Sequence, residues 1–286
     1  TMAVIRKKIM GPPGTGKTHR LVHHYLNEEI NNLHTDPQRI AYVTFTKAAA
    51  LDGSKKVQDV FPGIELLYIS TLHAMGTREL AISRKQVLTG IKWKQFKNVY
   101  PVYSGINFDS YINEHGATIN QDRNLQVINY SRAKLITLEK ACIDLRYHEG
   151  AVDIFFVKQL ERDIEYYKGK TTMYEFSDMI KLFVDEEKHL ALDAIFLDEA
   201  QDLNPSQWRM FFYIEALCKR SYIAGDDDQT IFKFQGAESN TFIDLEGERD
   251  DQEQSYRVPR AVHRQALKIL PHITKRVDKK WYAKDQ

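Results

Sequence analysis

The stretch "GPPGTGKT" at residues 11–18 constrains the fold of this chain more than any other feature. It fits the phosphate-loop pattern G-x-x-x-x-G-K-[ST], in which glycines let successive backbone N–H groups curl around a polyphosphate. The pattern therefore predicts a phosphate-binding loop that is followed by a helix. The residues predicted to hold phosphate groups are Gly11, Gly14, Thr15, Gly16, Lys17 and Thr18.

A loop of this kind needs acidic partners from elsewhere in the chain. The ammonium of Lys17 would neutralise β- and γ-phosphate oxygens, and the Thr18 hydroxyl would bind Mg²⁺. In "AIFLDEAQD" (194–202), an apolar strand ends in two adjacent carboxylates. We therefore predict that Asp198 is the second Mg²⁺ ligand and that Glu199 is the base that positions the attacking water. The alternative, a solvated strand end, is disfavoured because the chain already has the loop.

The order of strand and helix patterns predicts the fold class. Apolar, β-branched runs predict buried strands at 39–45, 66–70, 194–202 and 221–229. Helical patterns separate them at 17–31, 47–60 and 205–219. Such alternation predicts an α/β fold with a parallel sheet whose ligands bind at the carboxyl ends of the strands.

The segment 83–171 interrupts this alternation. It is rich in Tyr, Lys and amphipathic helical periodicity and has no clear buried strand, so we predict a helical insertion subdomain. The stretch 80–108 has no acidic residue, and its basic residues Arg84, Lys85, Lys92, Lys94 and Lys97 are interleaved with aromatic residues that include Trp93, Phe96 and Tyr100. Two interpretations are equally supported: a nucleic-acid surface, or a solvated helix face with core aromatics.

Composition excludes several classes of protein. The 40 basic and 39 acidic residues give a net charge of +1, so any surface for nucleic acid must be a local patch. The chain has no apolar run long enough for a membrane span and no signal peptide in "TMAVIRKKIM", which predicts a cytoplasmic protein without a membrane partner. Its histidines and two cysteines show no zinc-binding spacing.

The residues around the acidic pair distinguish among phosphate-loop proteins. The loop alone is similar to that of AAA+ ATPases, but there the acidic strand follows much sooner than Asp198 follows Lys17. "LDEAQDLNPSQW" resembles the acidic motif of the UvrD/Rep-like DNA helicases of superfamily 1. Further stretches resemble motifs of that family in its chain order, namely "TFTKAAA" (44–50), "STLHAMG" (70–76), "YEFSDMI" (174–180), "IAGDDDQTIFKFQGA" (223–237) and "SYRVP" (255–259).

This resemblance implies a domain organisation and an activity. Residues 1–82 plus 172–247 would form a RecA-like P-loop NTPase domain, interrupted by the insertion 83–171, and 248–286 would begin a second motor domain. ATP and Mg²⁺ would drive movement on single-stranded DNA in the 3′ to 5′ direction. The expected partners are single-stranded DNA and junctions of single- and double-stranded DNA, with a protein loading partner that no residue identifies.

The resemblance also assigns roles to residues that bind nucleotide. Gln229 would contact the γ-phosphate and the attacking water, because an amide both donates and accepts. Arg257 would reach the γ-phosphate with its forked guanidinium, and Tyr256 would stack on adenine. The family also has a glutamine upstream of the loop that reads adenine, and no glutamine precedes Gly11 here. We therefore expect a relaxed nucleotide preference.

On the DNA side, the resemblance places aromatic rings against bases. Phe45, Phe232 and Phe234 would stack on unpaired bases, and Thr71 and His73 would hydrogen-bond backbone phosphates. For Phe45 and Phe232, packing in the core remains an alternative. The family has Trp-Arg where this chain has Phe234 and Gln235, so a weaker grip on DNA is expected.

Later motifs of the family are not recognisable after Arg257. They include an arginine that can be worth about 10³–10⁵ in rate. We therefore expect this chain by itself to bind nucleotide, to hydrolyse it slowly and not to unwind duplex DNA. Two alternatives remain open: a nucleotide-gated module that binds single-stranded DNA without unwinding it, and a phosphate-loop ATPase that acts on protein.

Overall fold

The computed structural model describes residues 3–112, 118–148, 150–230 and 236–284. The strands there are β1 (Ile5–Met10), β2 (Ile40–Thr44), β3 (Tyr68–Thr71), β4 (Ser110–Ile112), β5 (Thr118–Asn120), β6 (Ala194–Leu197), β7 (Arg220–Gly225) and β8 (Glu248–Asp251). Six of them form one sheet in the order β3-β2-β6-β7-β1-β8, and every pairing in it is parallel. The predicted α/β fold with a parallel sheet is confirmed.

Helices surround this sheet. They are α1 (Lys17–Arg20), α2 (Lys47–Val60), α3 (Leu72–Glu79), α4 (Ile91–Val99), α5 (Arg123–Lys134), α6 (Leu138–Asp144), α7 (Ile154–Thr171), α8 (Phe176–Asp185), α9 (Pro205–Glu215), α10 (Ser239–Asp244) and α11 (Arg260–Ile269). After α1 the chain continues in π-helical turns to Asn32, close to the predicted helix 17–31. In the described part of the chain, no helix is both long enough and apolar enough to cross a membrane.

Alternate residues of each strand point to opposite sides of the sheet. A hydrophobic core covers each of the two faces. On one face, Phe196 of β6 stacks on Tyr222 of β7 with ring centroids 4.5 Å apart, in a core shared with α2 and the helical turns after the loop. On the other, Ile195 and Leu197 pack with Trp208 of α9. Strands buried on two sides are continuously apolar, which is why β2 and β6 were recognisable from the sequence.

The start of α9 shows how local sequence sets an element next to the site. The side chain of Asn204 accepts a hydrogen bond from the backbone N–H of Gln207, and Pro205 occupies the first helical turn. The Gln207 side chain in turn accepts from the backbone N–H of Asn204, which completes a capping box. The helix begins at the predicted residue, Pro205. Its capping box sets the direction in which the chain continues after the turn Ala200–Asp202.

The insertion between α3 and α8 has a core of its own. Trp93 and Phe96 are buried in it, and Trp93 stacks on Phe108 with centroids 4.3 Å apart. The ammonium of Lys92 donates to the carbonyl of Val87, and that of Lys97 to the carbonyl of Ile106. The aromatic residues are therefore core residues, as the second interpretation of 80–108 held. The insertion is also not wholly helical, because β4 and β5 pair in an antiparallel ladder.

The last strand, β8, lies at an edge of the main sheet. It pairs with β1 from Lys7 opposite Glu248 to Met10 opposite Asp251, and the side chains of Lys7 and Glu248 form an ion pair. Residues 248–251, which the resemblance assigned to the start of a second motor domain, thus belong to the same six-stranded sheet as β1, the strand before the phosphate loop. They join it because the open edge of β1 offers backbone partners.

Candidate active site at the carboxyl edge of the sheet

The phosphate loop follows β1 and closes on its own lysine. Gly14 and Gly16 have φ angles of 72° and 84°, a region that residues with a Cβ avoid. The Thr15 hydroxyl donates to the carbonyl of Pro12 at 2.9 Å, and the buried Lys17 ammonium donates to the carbonyl of Gly11 at 2.9 Å. The acceptor of the Lys17 ammonium is thus an uncharged carbonyl. A phosphate oxygen could replace this carbonyl as the acceptor.

The predicted metal ligands lie side by side. The Thr18 hydroxyl donates to Asp198 Oδ2 at 2.7 Å, and the Tyr42 hydroxyl donates to the same oxygen at 2.9 Å. Burial and the neighbouring charge of Glu199 raise the pKa of Asp198. The backbone N–H of Glu199 also donates to Asp198 Oδ1 at 3.0 Å, so these three hydrogen-bond donors are all uncharged. A divalent cation would stabilise a buried carboxylate in such surroundings, so Thr18 and Asp198 fit a Mg²⁺ site.

Glu199 has an unusual backbone. Its φ and ψ angles are 56° and 46°, the left-handed conformation, and it caps the short turn Ala200–Asp202. A residue other than glycine pays about 1–3 kcal/mol for such a conformation, and positions of this kind cluster in active sites. The side chain of Gln201 donates from Nε2 to Glu199 Oε2 at 2.8 Å and so holds the carboxylate.

Gln229 is linked to the same acidic loop. Its Nε2 donates to Asp226 Oδ2, and the backbone N–H of Asp226 donates to Gln201 Oε1 at 2.9 Å. These contacts connect Gln229 to Glu199 through two intervening residues. The structure therefore brings together the ends of β6 and β7, as their parallel pairing requires.

The "SYRVP" segment lies directly on the phosphate loop. The Tyr256 N–H donates to the carbonyl of Gly14 at 2.9 Å, and the Ser255 hydroxyl donates to the carbonyl of Pro13 at 2.9 Å. A Cβ placed on Gly16 would lie 3.8 Å from the Tyr256 ring. The side chains of Tyr256 and Arg257 are exposed beside the loop, where they are accessible to a bound nucleotide.

The predicted DNA-contacting residues have mixed environments. Thr71 is buried and its hydroxyl caps α3 by accepting from the N–H of Ala74, while burial lowers the pKa of His73 to about 4, so its imidazole is neutral at pH 7. Phe45 is half-buried and packs against Ala237, in keeping with the core alternative. Phe232 and Phe234 lie outside the described residues.

Three residues at this site were not predicted. Gln201 hydrogen-bonds the chain after β6 and the chain after β7, and Tyr42 hydrogen-bonds Asp198. Ser255 hydrogen-bonds the phosphate loop. A polar side chain between acids, as in "DEAQD", was the available signal for Gln201. Tyr42 lies within a run that otherwise predicts only a buried strand, so nothing in the sequence marked it.

A second group of carboxylates lies close by. Asp226, Asp227 and Asp228, here called the acid triad, have oxygens within 4.8 Å of one another, a spacing that suits a metal ion. However, the Lys279 ammonium lies 2.9 Å from Asp226 and 3.0 Å from Asp228, and it also contacts Asp227. Arg276 pairs with Asp228 as well. The protein itself therefore supplies the cation for this cluster.

Comparison with known proteins identifies the family. The family model described as the UvrD/REP helicase N-terminal domain matches residues 6–250. An ATP-dependent DNA helicase PcrA from Leuconostoc citreum is 24% identical over 307 residues, covering 97% of this chain and 38% of that protein. The PcrA helicase of Bacillus subtilis (strain 168) is 26% identical, with 97% and 39% covered. This chain thus spans about two fifths of the length of these relatives.

Proposed function

Because this chain belongs to the UvrD/REP helicase family, we propose that it forms the ATP-hydrolysing part of a DNA helicase that moves along single-stranded DNA. The observation that supports this proposal is that the phosphate loop, the acidic segment 194–202 and the segment 255–259, which are distant in the sequence, contact one another. Thr18 contacts Asp198 at 2.7 Å, and the Tyr256 N–H contacts the carbonyl of Gly14 at 2.9 Å. A single triphosphate on the loop would lie within reach of all three.

Hydrolysis would proceed by attack of water on the γ-phosphorus. Lys17 would leave the carbonyl of Gly11 and neutralise the β- and γ-phosphate oxygens. Glu199 would orient the water and take its proton as the new P–O bond forms and ADP departs with the electrons of the broken bond. Mg²⁺, held by Thr18 and Asp198, would supply positive charge to the phosphates.

Three further residues would respond to the nucleotide. Gln229 would contact the γ-phosphate with its amide, and Arg257 would approach from the other side with two parallel N–H donors. Tyr256 would stack on the base, which suits its exposure of 71% beside Gly16. On hydrolysis these three residues would lose their contacts with the γ-phosphate or the base. The resulting movement would change the contacts that the protein makes with DNA.

The DNA would lie along the same edge of the sheet. Thr71 and His73 stand at the end of β3 and would position the phosphate backbone, and Phe45, Phe232 and Phe234 would stack on bases. We propose movement in the 3′ to 5′ direction and loading at junctions of single- and double-stranded DNA. A protein loading partner would act outside these contacts.

The substitution Glu199→Gln tests the proposal. It should leave binding of a fluorescent ATP analogue within about threefold of the wild type and lower turnover by about 10²–10⁴-fold, because the base is lost while the phosphate contacts remain. Glu65→Gln, on the exposed surface, is the matched control and should turn over like the wild type. Unchanged turnover in Glu199→Gln would remove Glu199 from the mechanism.

A DNA assay separates the proposal from the alternative of a binding module. A module that only binds single-stranded DNA would show nucleotide-dependent DNA affinity without turnover in the wild type. The proposed motor part should instead hydrolyse ATP measurably, and single-stranded DNA should accelerate it. We expect this chain alone to leave a duplex with a 3′ tail unseparated in a strand-displacement assay.

A further inference from the structure

Gln201 occupies a buried position between two strand ends. Its side chain is 2% exposed. The amide nitrogen donates to Glu199 Oε2 at 2.8 Å, and the amide oxygen accepts from the Asp226 N–H at 2.9 Å. One end of the amide is therefore committed to the loop after β6, and the other to the loop after β7.

We propose that Gln201 is a positioning residue that fixes the Glu199 carboxylate and joins it to the loop carrying Gln229. This inference rests on the proposed ATPase function and adds a role that the motif resemblance did not assign. A displacement of the Gln229 side chain would be transmitted to Glu199 through the hydrogen bonds of Asp226 and Gln201. Gln201 itself would not touch the nucleotide.

The conformation of Glu199 explains why it needs such a contact. The backbone of Glu199 is left-handed at φ 56°, so the chain has left the extended geometry of β6 at this residue. A general base loses efficiency when it is displaced, and an error of about 1 Å can cost about 100-fold in rate. The hydrogen bond from Gln201 restricts the carboxylate to one orientation before substrate binds.

The opposite end of the amide is equally constrained. A Cβ placed on Gly225 would lie 2.9 Å from Gln201 Oε1 and 2.9 Å from the ring of Phe242. The close approach of the amide to β7 therefore depends on glycine at the strand end. Asp226, which follows, is fully buried and accepts from Gln229 Nε2, so the hydrogen bonds continue from Gln201 to Gln229.

A purely structural role for Gln201 predicts different behaviour. In that case the amide would only satisfy the buried N–H of Asp226, and its loss would lower stability without a specific effect on turnover. Gln207 offers a matched control because it is also a buried glutamine, 4% exposed, and its amide oxygen accepts from the backbone N–H of Asn204 at the start of α9.

The test compares Gln201→Leu with Gln207→Leu in the full chain. For Gln201→Leu we expect kcat to fall by about 100-fold, with the KM for ATP within about threefold of the wild type. Gln207→Leu should lower the melting temperature but keep kcat. In a Glu199→Gln background, Gln201→Leu should cause no additional loss, because residues that act as one unit are not additive.

Gln201→Met, whose unbranched side chain is close to glutamine in length, guards against a packing defect of the leucine variant. It also cannot donate to Glu199 and adds no buried charge, so kcat should fall in the same way. Wild-type kcat in either variant, or an equal loss with and without Glu199, would overturn the inference. Absence of turnover in the wild type would instead overturn the proposed function, and this inference with it.

Discussion

Lys17 and Lys279 are both buried lysines, but their partners differ. Lys17, at 7% exposure, donates to the neutral carbonyl of Gly11, whereas the Lys279 side chain, at 2% exposure, contacts all three carboxylates of the acid triad. Burial disfavours the charge of Lys279, but the carboxylates outweigh it and raise its pKa. The first lysine can exchange its partner for a ligand at little cost. The second is committed to holding 276–279 against the Gln229 loop.

The largest expected effect is on stability, from Lys279→Met. Removal of this cation leaves three buried carboxylates with less compensation, so the free energy of unfolding should fall by about 3–5 kcal/mol in denaturant titrations. Lys275→Met is the control because Lys275 pairs with Asp244 on the surface, and it should cost less than about 1 kcal/mol. Equal losses in the two variants would show that the acid triad does not depend on Lys279.

The next effect separates ligand binding from stability at Lys17. With ATP at about 100 times its dissociation constant, the wild type should gain about 2.7 kcal/mol of stability. Lys17→Ala should abolish this gain in thermal unfolding while the ligand-free protein unfolds within a few degrees of the wild type. Lys56→Ala, in an exposed pair with Asp52, should keep the full ATP effect. A large loss of ligand-free stability in Lys17→Ala would mean that Lys17, like Lys279, is committed to structure.

A smaller effect concerns Asp202, a carboxyl for which residues 3–112, 118–148, 150–230 and 236–284 supply no ion-pair partner. In the described part of the chain its Oδ1 has no hydrogen-bond partner, and burial together with the charge of Glu199 raises its pKa to about 8. The unfolded value is about 3.9, so the folded chain binds the extra proton in the window between these values. Stability from this group is therefore greatest in acid and is lost as the pH rises towards 8.

Asp202→Asn removes that dependence. At pH 8 the variant should be more stable than the wild type by about 1–2 kcal/mol, because the amide avoids a buried unpaired charge. At pH 5 the difference should shrink, since the wild-type carboxyl is then protonated. Melting curves of both proteins at the two pH values measure this. A stabilisation that does not change with pH would indicate that Asp202 has the same protonation state throughout.

The sequence predicted those strands whose side chains are buried on both sides. The patterns for β2 and β6 placed them within a few residues, and helix α2 began and ended at the predicted residues. β1 and β8 were not identified because "IRKKIM" and "ERDD" are charged. In β1 the charged side chains find partners through tertiary contacts: Lys8 donates to the carbonyl of Ile243, and Arg6 pairs with Glu215. Such contacts leave no periodic signal.

The same distinction applies to the site. The motifs predicted roles for residues such as Lys17, in the loop, and Asp198, beside Thr18, because the proposed chemistry requires a particular side chain at a fixed place. They did not identify Gln201 or Lys279, since these depend on which loops meet in space. The rings in 80–108 show a composition that leaves two interpretations open: basic and aromatic residues suit a binding surface or a core, and burial decides whether a ring can stack on a base.

Gly14 has a role beyond its positive φ angle. A Cβ at this position would lie 2.7 Å from Arg257 Cβ and 2.9 Å from Ser255 Oγ, so a methyl group would separate the loop from the "SYRVP" segment. The absence of that one carbon allows two stretches of chain, some 240 residues apart in the sequence, to share a hydrogen bond. Substitution of residue 14 is thus limited by two requirements. The backbone must keep its positive φ angle, and the side chain must leave room for the segment 255–259.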